Sequence, residues 1–187
     1  MSDAVQRLKK GDRDAFNDIV REYEKQVINI AYGMLSDRED ALDAAQEVFI
    51  KVYKNIGSFR GQSSFTTWIY RITANVCNDI LRKRQRSAKV ISIFQDDDER
   101  ESTIEIADDK PTPEETIELN ERQQAVRDGI ASLSADFRAV ITLCDIEGCS
   151  YEEAARVLSI PHGTVKSRLN RARNALKKKL SENMELF

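Results

Sequence analysis

Apolar residues recur at three- and four-residue steps along the first 92 residues, which is the spacing of helices with one apolar face. Asp12 and Asp37 precede the first two stripes and can cap their helices. A third stripe runs from Phe65 to Ile80. Because none of these helices is apolar all round, each must bury its stripe against the others. The spacing therefore predicts one compact helical domain at this end of the chain.

Small side chains begin the second stripe and would let a neighbouring helix approach closely. The opposite face of this helix carries acids and lysines, so we expect it to be open to solvent or to a basic partner. The stretch from Gly57 to Ser64 breaks the pattern and predicts a loop. The stripe itself consists of Ala41, Ala44, Ala45, Val48, Phe49, Val52, Tyr53 and Ile56.

A strongly acidic segment follows this domain. Between Asp96 and Glu121 the chain has twelve acidic residues and two basic ones. The stretch from Gln95 to Lys110 has no sustained period, which predicts an extended or disordered linker. The sequence Thr112-Pro113-Glu114-Glu115 then gives a strong helix start, with a threonine cap and proline at the first position.

Helix signals return after the linker. Ser134 begins a helix that is expected to stop near Gly148, and Ser150 with Glu153 forms a capping box for a short one. With only seven glycines and three prolines in 187 residues, strands and turns are not favoured. We predict an all-α protein of two small helical domains, residues 1–94 and 113–187, joined by a flexible acidic linker over residues 95–112. The C-terminal domain is predicted to be a helix-turn-helix.

The C-terminal helices concentrate positive charge that the net charge of −3 conceals. From Ala154 to Leu180 the chain has eight Lys or Arg and no acid, whereas a solvated helix normally mixes both signs. A short turn at residues 159–163 leads into a helix from residue 164, which can lie in the DNA major groove. The residues expected toward the bases are Thr164, Lys166, Ser167, Arg168, Asn170, Arg171 and Arg173, while Lys177 and Lys178 suit phosphate contacts.

A second candidate site lies in the loop before the third helix, where aromatic, small polar and arginine side chains alternate. Aromatic faces can stack on bases freed from a duplex, and nearby cations can hold the backbone. Phe59, Gln62 and Ser63 are the loop residues expected to touch such a base. Phe65 and Trp68 have a competing role in the core, which we consider the stronger expectation.

Other functions find little support. Cys144, Cys149 and His162 could be three zinc ligands, but a fourth is missing, so we expect reduced thiols and no metal or cofactor. Asp96, Asp97 and Asp98 could hold a nuclease metal, yet they lie in an unpatterned segment without a supporting site. The chain has no apolar run near the ~20 residues of a membrane helix, and its N-terminus lacks the apolar core of a signal peptide, so a cytoplasmic protein is expected.

Four stretches in order resemble the extracytoplasmic-function group of bacterial sigma factors, across essentially the whole chain. They are GDRDAFNDIVREYEKQV, DREDALDAAQEVFIKVY, SFRGQSSFTTWIYRITANVCNDILRKRQR and SYEEAARVLSIPHGTVKSRLNRARNALKK. The resemblance implies a protein that binds core RNA polymerase and directs it to promoters, with no catalysis of its own. It also implies an anti-sigma factor as partner and no insertion into a membrane.

The resemblance further implies roles for individual positions. Asp40, Asp43, Gln46 and Glu47 correspond to the surface that docks on core polymerase. The final helix corresponds to the reader of the −35 duplex, and the acidic linker to a segment that threads polymerase. The positions that correspond to −10 DNA contacts are Phe59, Arg60, Gly61, Gln62, Ser63, Phe65, Arg71, Asn75, Asn78, Arg82 and Arg84.

Two rival functions stay open from the residues alone. A dimeric helix-turn-helix regulator would explain residues 150–180, but it leaves the aromatic loop and the acidic helix face without a role. A metal-dependent nuclease would need the aspartates of the linker to form a site.

Overall fold

The computed structural model describes residues 3–91 and 113–184 and is helical in both parts. The first part ends in a long helix, and the predicted linker of residues 95–112 lies outside the described residues. The helices are α1 (Asp3–Lys9), α2 (Asp14–Leu35), α3 (Arg38–Asn55), α4 (Phe65–Ile91), α5 (Pro113–Ala131), α6 (Ala135–Ile141), α7 (Tyr151–Leu158) and α8 (His162–Met184), with a 3₁₀ turn at Ile56–Ser58 and a π-helical turn at Thr142–Ile146.

The three helices predicted from the first 92 residues are present and pack on one another. Asp37 caps α3 as expected, because its side chain accepts a hydrogen bond from the backbone N–H of Asp40 at 2.9 Å. The alanines that begin the stripe of α3 are buried, and α3 lies against both α2 and α4. The short helix α1, which periodicity did not reveal, adds Val5 and Leu8 to the same core.

The C-terminal part contains the predicted helix-turn-helix, α7 and α8. The capping box of α7 is confirmed: the Ser150 side chain accepts from the Glu153 N–H, and the Glu153 carboxylate accepts from the Ser150 N–H at 2.9 Å. Helix α8 begins at His162, two residues earlier than expected, because the Pro161 carbonyl already accepts from Thr164 and Val165. The helix that begins after Ser134 widens at Thr142 into the π-helical turn. The Thr142 carbonyl accepts a hydrogen bond from the backbone N–H of Glu147, five residues further on.

The two helical regions are packed directly against each other. Helix α7 lies on α4, while α6 and the π-helical turn lie on α2. As a result, side chains from the C-terminal region join the core of the N-terminal one, among them Leu143, Ala154 and Val157, each at most 1% exposed. The second, smaller core lies between α6 and α8 around Val140 and Leu169. We call this packed arrangement the closed state.

Arg138 holds the closed state together through hydrogen bonds to backbone. Its guanidinium donates to the carbonyl of Met34 from Nε at 3.1 Å and from Nη2 at 3.0 Å. The same group donates to the carbonyl of Leu133 in its own region at 2.7 Å. Met34 lies in the last turn of α2, where carbonyls have no partner within the helix and where a cation is favoured. Arg138 therefore joins the end of α2 to the C-terminal region.

A glycine in the interior of α2 marks the closest approach of the two regions. A Cβ on Gly33 would overlap the side chain of Thr142, which is fully buried. Glycine in a helix interior costs about 0.5–1 kcal/mol relative to alanine, and nothing within α2 requires it. Gly33 is explained by the contact with the π-helical turn.

We predict that Gly33→Ala destabilises the closed state by about 1–3 kcal/mol, because the new methyl group overpacks the contact with Thr142. The measurements are denaturant unfolding and the radius of gyration by small-angle X-ray scattering, which should increase. Gly57→Ala is the control, since a Cβ there meets nothing within 4 Å. Without the overlap, Gly33→Ala would instead stabilise α2, because alanine has a higher helix propensity than glycine. Equal behaviour of the two variants would contradict the assignment of this contact.

Candidate nucleic-acid interface

Helix α8 is oriented by an apolar row that faces the rest of its region. Val165, Leu169 and Ala172 are at most 1% exposed. The intervening positions lie on the open side of the helix, as the sequence predicted, and the exposed ones are Lys166, Ser167, Asn170 and Arg171. Lys177 and Lys178 are exposed further along the same helix. Thr164, at the start of α8, is half-buried, and its carbonyl accepts from the Ser167 hydroxyl at 3.1 Å.

Two arginines that we expected at the DNA face are instead paired with acids of their own region. Arg168 lies 2.9 Å from Asp136 of α6. Arg173 makes two hydrogen bonds to Asp145 of the π-helical turn, at 3.0 Å and 2.5 Å. These hydrogen bonds raise the pKa of Arg173, with the charge of Asp145 as the second cause. In this state Arg168 and Arg173 brace α8, and the exposed cations Lys166 and Arg171 remain for a ligand.

The loop before α4 is folded around a buried aromatic ring. Phe59 is 3% exposed, and its ring centroid lies 5.5 Å from that of Phe65 and 5.3 Å from that of Trp68. Lys9 of α1 donates to the Phe59 carbonyl, and its ammonium lies 5.3 Å from the ring centroid. Phe65 is buried in the core, which was the stronger expectation for it. Phe59, which we predicted to touch an unstacked base, is also buried, so its ring is not open to a base in this state. Phe59 anchors the loop instead.

Polar loop residues do surround a cavity, with a volume of about 270 Å³. Gln62, Ser63 and Arg60 contribute from the loop, where Gly61 takes a positive φ of 72° that suits glycine. Arg71 contributes from α4. Arg156 of α7 also lines this cavity, a residue that sequence reasoning did not select. Its role depends on the packing of α7 on α4, which no local pattern indicates. We call this space the loop cavity.

A second group of the expected −10 residues lines a separate cleft between α3 and α4. Asn75, Asn78 and Arg82 meet there, and the cleft has a volume of about 470 Å³. Arg84, which we assigned to the same DNA surface, contacts Asp40 of α3 instead. The structure therefore pairs a residue expected to bind DNA with one expected to bind polymerase.

The exposed side of α3 is more apolar than the sequence indicated. Asp43, Gln46 and Glu47 are exposed as expected, and Glu47 pairs with Lys51 at 2.9 Å. Beside them lie three large apolar side chains, Leu42, Ile50 and Tyr53, which are 41%, 52% and 43% exposed. The prediction that Tyr53 lies in the buried stripe is wrong: its ring packs edge-on against Phe16, with 5.2 Å between the centroids, but stays partly exposed. Leu42 and Ile50 were missed, although their spacing of eight residues puts them on one side of the helix.

The alternative metal chemistry has no support in the described residues. No group of three potential metal ligands occurs among them, so Cys144, Cys149 and His162 do not form a site. The three cysteines are unpaired thiols, and burial raises the pKa of Cys77 and of Cys149 to about 12, which disfavours the reactive thiolate form of these two. The aspartates proposed for a nuclease, residues 96–98, lie outside the described residues. Within the described ranges, no helix is long and apolar enough to cross a membrane.

The sequence matches two family models, one in each helical region. Residues 19–87 match Sigma-70 region 2, and residues 123–176 match Sigma-70, region 4. The RNA polymerase sigma-H factor of Pseudomonas aeruginosa is 37% identical over 176 residues, which cover 94% of this chain and 91% of that protein. The ECF RNA polymerase sigma factor SigW of Bacillus subtilis is 36% identical over 178 residues, covering 95% of both chains.

Solved structures share the fold. CnrH in complex with the cytosolic domain of CnrY superimposes with a TM-score of 0.66 at 22% identity and covers 96% of each chain. The sigma factor RpoE in complex with the anti-sigma factor NepR, from Bartonella quintana, gives a TM-score of 0.64 at 28% identity, covering 88% of this chain and 97% of that one. The predicted all-helical fold is thereby confirmed.

Proposed function

This chain belongs to the extracytoplasmic-function sigma factors, and we propose that it binds core RNA polymerase, reads −35 duplex DNA with α8 and captures −10 DNA at the loop cavity. The observation that carries the proposal is the presence, in one chain, of an exposed basic helix and an arginine-rimmed cavity in the regions that match the family. The protein contributes recognition, while the covalent chemistry belongs to polymerase.

Reading of the −35 element is assigned to the open side of α8. Arg171 can donate two hydrogen bonds to guanine, and Asn170 can pair with adenine. Lys166 and Ser167 lie one turn earlier on the same exposed side. Lys177 lies about two turns beyond Asn170 and suits a phosphate contact, which adds affinity without sequence preference.

Capture of the −10 element is assigned to the loop cavity. Arg60 and Arg71 supply positive charge for the DNA backbone, while Gln62 and Ser63 present polar groups to a base edge. Phe59 anchors the loop to the domain, because its ring is buried in the core. An unstacked base costs a few kcal/mol to expose, and the contacts in the cavity would offset this.

Docking on core polymerase is assigned to the open side of α3. Leu42, Ile50 and Tyr53 give an exposed apolar strip, and Asp43 and Glu47 border it with negative charge. An apolar strip with a charged rim is the usual composition of a helix that docks on a protein partner. A basic partner surface would complement the acids.

The closed state cannot serve both promoter elements at once. Elements centred about 25 base pairs apart lie about 85 Å apart along B-DNA at 3.4 Å per pair. In the closed state, by contrast, Arg156 of the −35 region lines the loop cavity itself. The 21 residues from 92 to 112 could span about 70 Å when extended, so the two regions can separate without breaking the chain. We therefore propose that the two regions separate when polymerase is bound.

A protein inhibitor is the further partner in this proposal. The related RpoE structure contains its anti-sigma factor NepR. By analogy, an anti-sigma factor would hold this chain away from polymerase in the cytoplasm. The dimeric regulator considered above does not account for the apolar strip on α3 or for the loop cavity.

The proposal is tested by transcription in vitro. The protein is added to core polymerase on a pool of genomic DNA fragments, and the RNA 5′ ends are mapped. We expect transcripts that start at a fixed distance from one shared pair of sequence elements. Core polymerase alone is the control. Transcripts no more specific than those of core polymerase would refute the proposal, and a DNA-binding dimer that ignores polymerase would favour the rival.

We predict that Arg171→Ala weakens binding to a −35 duplex by about 1–3 kcal/mol and relaxes the preference for the correct sequence, because one base contact is lost. Lys177→Ala, a matched loss of one positive charge on α8, should weaken binding to cognate and scrambled duplexes equally. Binding is measured by fluorescence anisotropy at fixed salt. If both variants reduce cognate and scrambled binding in the same ratio, the division between base and phosphate contacts is wrong.

A further inference from the structure

Helix α1 is held beside the loop cavity, although none of its described residues lines that space. Its inner face is fixed in the core, where Val5 is 0% and Leu8 is 5% exposed. Arg7 ties the same helix to α2, because its guanidinium donates to Asp12 at 2.8 Å and to Asp18 at 3.2 Å. Helix α1 also lies against the 3₁₀ turn from which the loop begins. The end of α1 is therefore held at a fixed place next to the loop.

Lys9, the last residue of α1, makes two contacts with Phe59. Its ammonium donates a hydrogen bond to the Phe59 carbonyl and lies 5.3 Å from the centroid of the ring. A hydrogen bond from a charged donor is stronger than one between neutral groups, and the cation adds an attraction to the face of the ring. One side chain thus holds both the backbone and the ring of Phe59.

Phe59 is the first of two anchors of the loop. Its N–H donates to the Ile56 carbonyl at 3.2 Å, so the bond from Lys9 completes the hydrogen bonding of its backbone. The second anchor is Ser64 at the start of α4, whose hydroxyl accepts from the backbone N–H of Thr67 at 3.0 Å. The loop is therefore attached to the domain at both ends.

The loop between the two anchors has little support of its own. Within the described part of the chain, residues 60–63 make one hydrogen bond, from the Ser63 hydroxyl to the Ser64 carbonyl at 3.2 Å. The peptide group between Phe59 and Arg60 is planar, so the bond that fixes the Phe59 carbonyl also fixes the direction in which the chain continues. This direction decides where Arg60 and the residues after it stand in the cavity.

We propose that Lys9 is a positioning residue for base capture, which holds the loop in the conformation that presents Gln62 and Ser63 to an unstacked base. Residues 19–87 match the Sigma-70 region 2 model, so α1 lies outside the matched part of the chain. The inference rests on the proposed function, since it requires that a −10 base enters the loop cavity. A loop that is held in its binding conformation before the base arrives binds more tightly, because less freedom is lost on binding.

A direct contact of Lys9 with a DNA phosphate is the alternative. A phosphate contact adds affinity for every strand, whatever its bases. Positioning instead affects only the part of the affinity that the captured base supplies. Lys10 is the next residue, is exposed and carries the same charge, so its substitution is a matched control for loss of one positive charge.

The test uses the reconstituted holoenzyme and a fluorescein-labelled non-template strand from a promoter that it transcribes. A single abasic site is stepped along the −10 element, and affinity is measured by anisotropy. Wild-type holoenzyme should lose about tenfold in affinity at the captured position, in line with typical stacking contributions. We expect Lys9→Met to reduce this loss to about threefold, because the loop then spends only part of its time in the binding conformation. Affinity for the abasic strand should stay unchanged, and Lys10→Met should keep the full loss.

Rescue by a conservative variant separates positioning from a general effect on the fold. Lys9→Arg keeps a cationic donor for the same carbonyl and ring, so it should restore the full loss at the captured position. The affinity of Lys9→Met for core polymerase and its midpoint of urea unfolding should equal those of the wild type.

A Lys9→Met holoenzyme that keeps the full loss at the captured position would overturn the inference and leave the proposed function standing. Equal weakening of intact and abasic strands would also overturn it, because Lys9 would then be a phosphate contact. A lower affinity for core polymerase or a lower urea midpoint would assign Lys9 to the fold alone, with the same consequence. If no position is sensitive in the wild type, base capture itself is refuted, and the inference with it.

Discussion

The closed state depends on the contact between Gly33 and Thr142. Only a glycine lets the π-helical turn approach α2 this closely, and in the same arrangement α7 lies on α4. Arg138 then satisfies the carbonyl of Met34 at the end of α2, so a polar group that would otherwise lose its partner is bonded across the two regions. One consequence is functional: the first helix of the DNA-binding motif lies beside the loop cavity, and Arg156 contributes to a site in the other region.

Acidic side chains pair with several of the arginines that we predicted to bind nucleic acid. Asp136 and Asp145 hold Arg168 and Arg173 against the body of their region, and Asp40 contacts Arg84. Each pair is open to solvent on the side of at least one partner, so a DNA phosphate or a polymerase side chain can compete for it. The Asp40–Arg84 contact therefore links two proposed functions. A partner that binds Asp40 would release Arg84 for DNA.

Periodicity and capping chemistry predicted most of the helices, because both are local. Asp37 and the capping box of Ser150 with Glu153 stand where the sequence indicated. Long-range pairing was not predictable: Asp145 lies 28 residues from Arg173, and no spacing rule connects them. The burial of Phe59 was not predictable either, since an aromatic residue in a loop can either contact a ligand or anchor the loop in the core. The exposed Leu42 and Ile50 could have been found, because they lie outside the periodic stripe of α3.

Separation of the two regions on promoter DNA is the central claim, and resonance energy transfer tests it most directly. A donor and an acceptor are attached through unnatural amino acids at Glu24 and Asn174, which are exposed in the N-terminal and C-terminal regions respectively. The account predicts high transfer efficiency in the isolated protein and a large decrease when core polymerase and promoter DNA are both present. Transfer efficiency in the promoter complex equal to that of the isolated protein would contradict it.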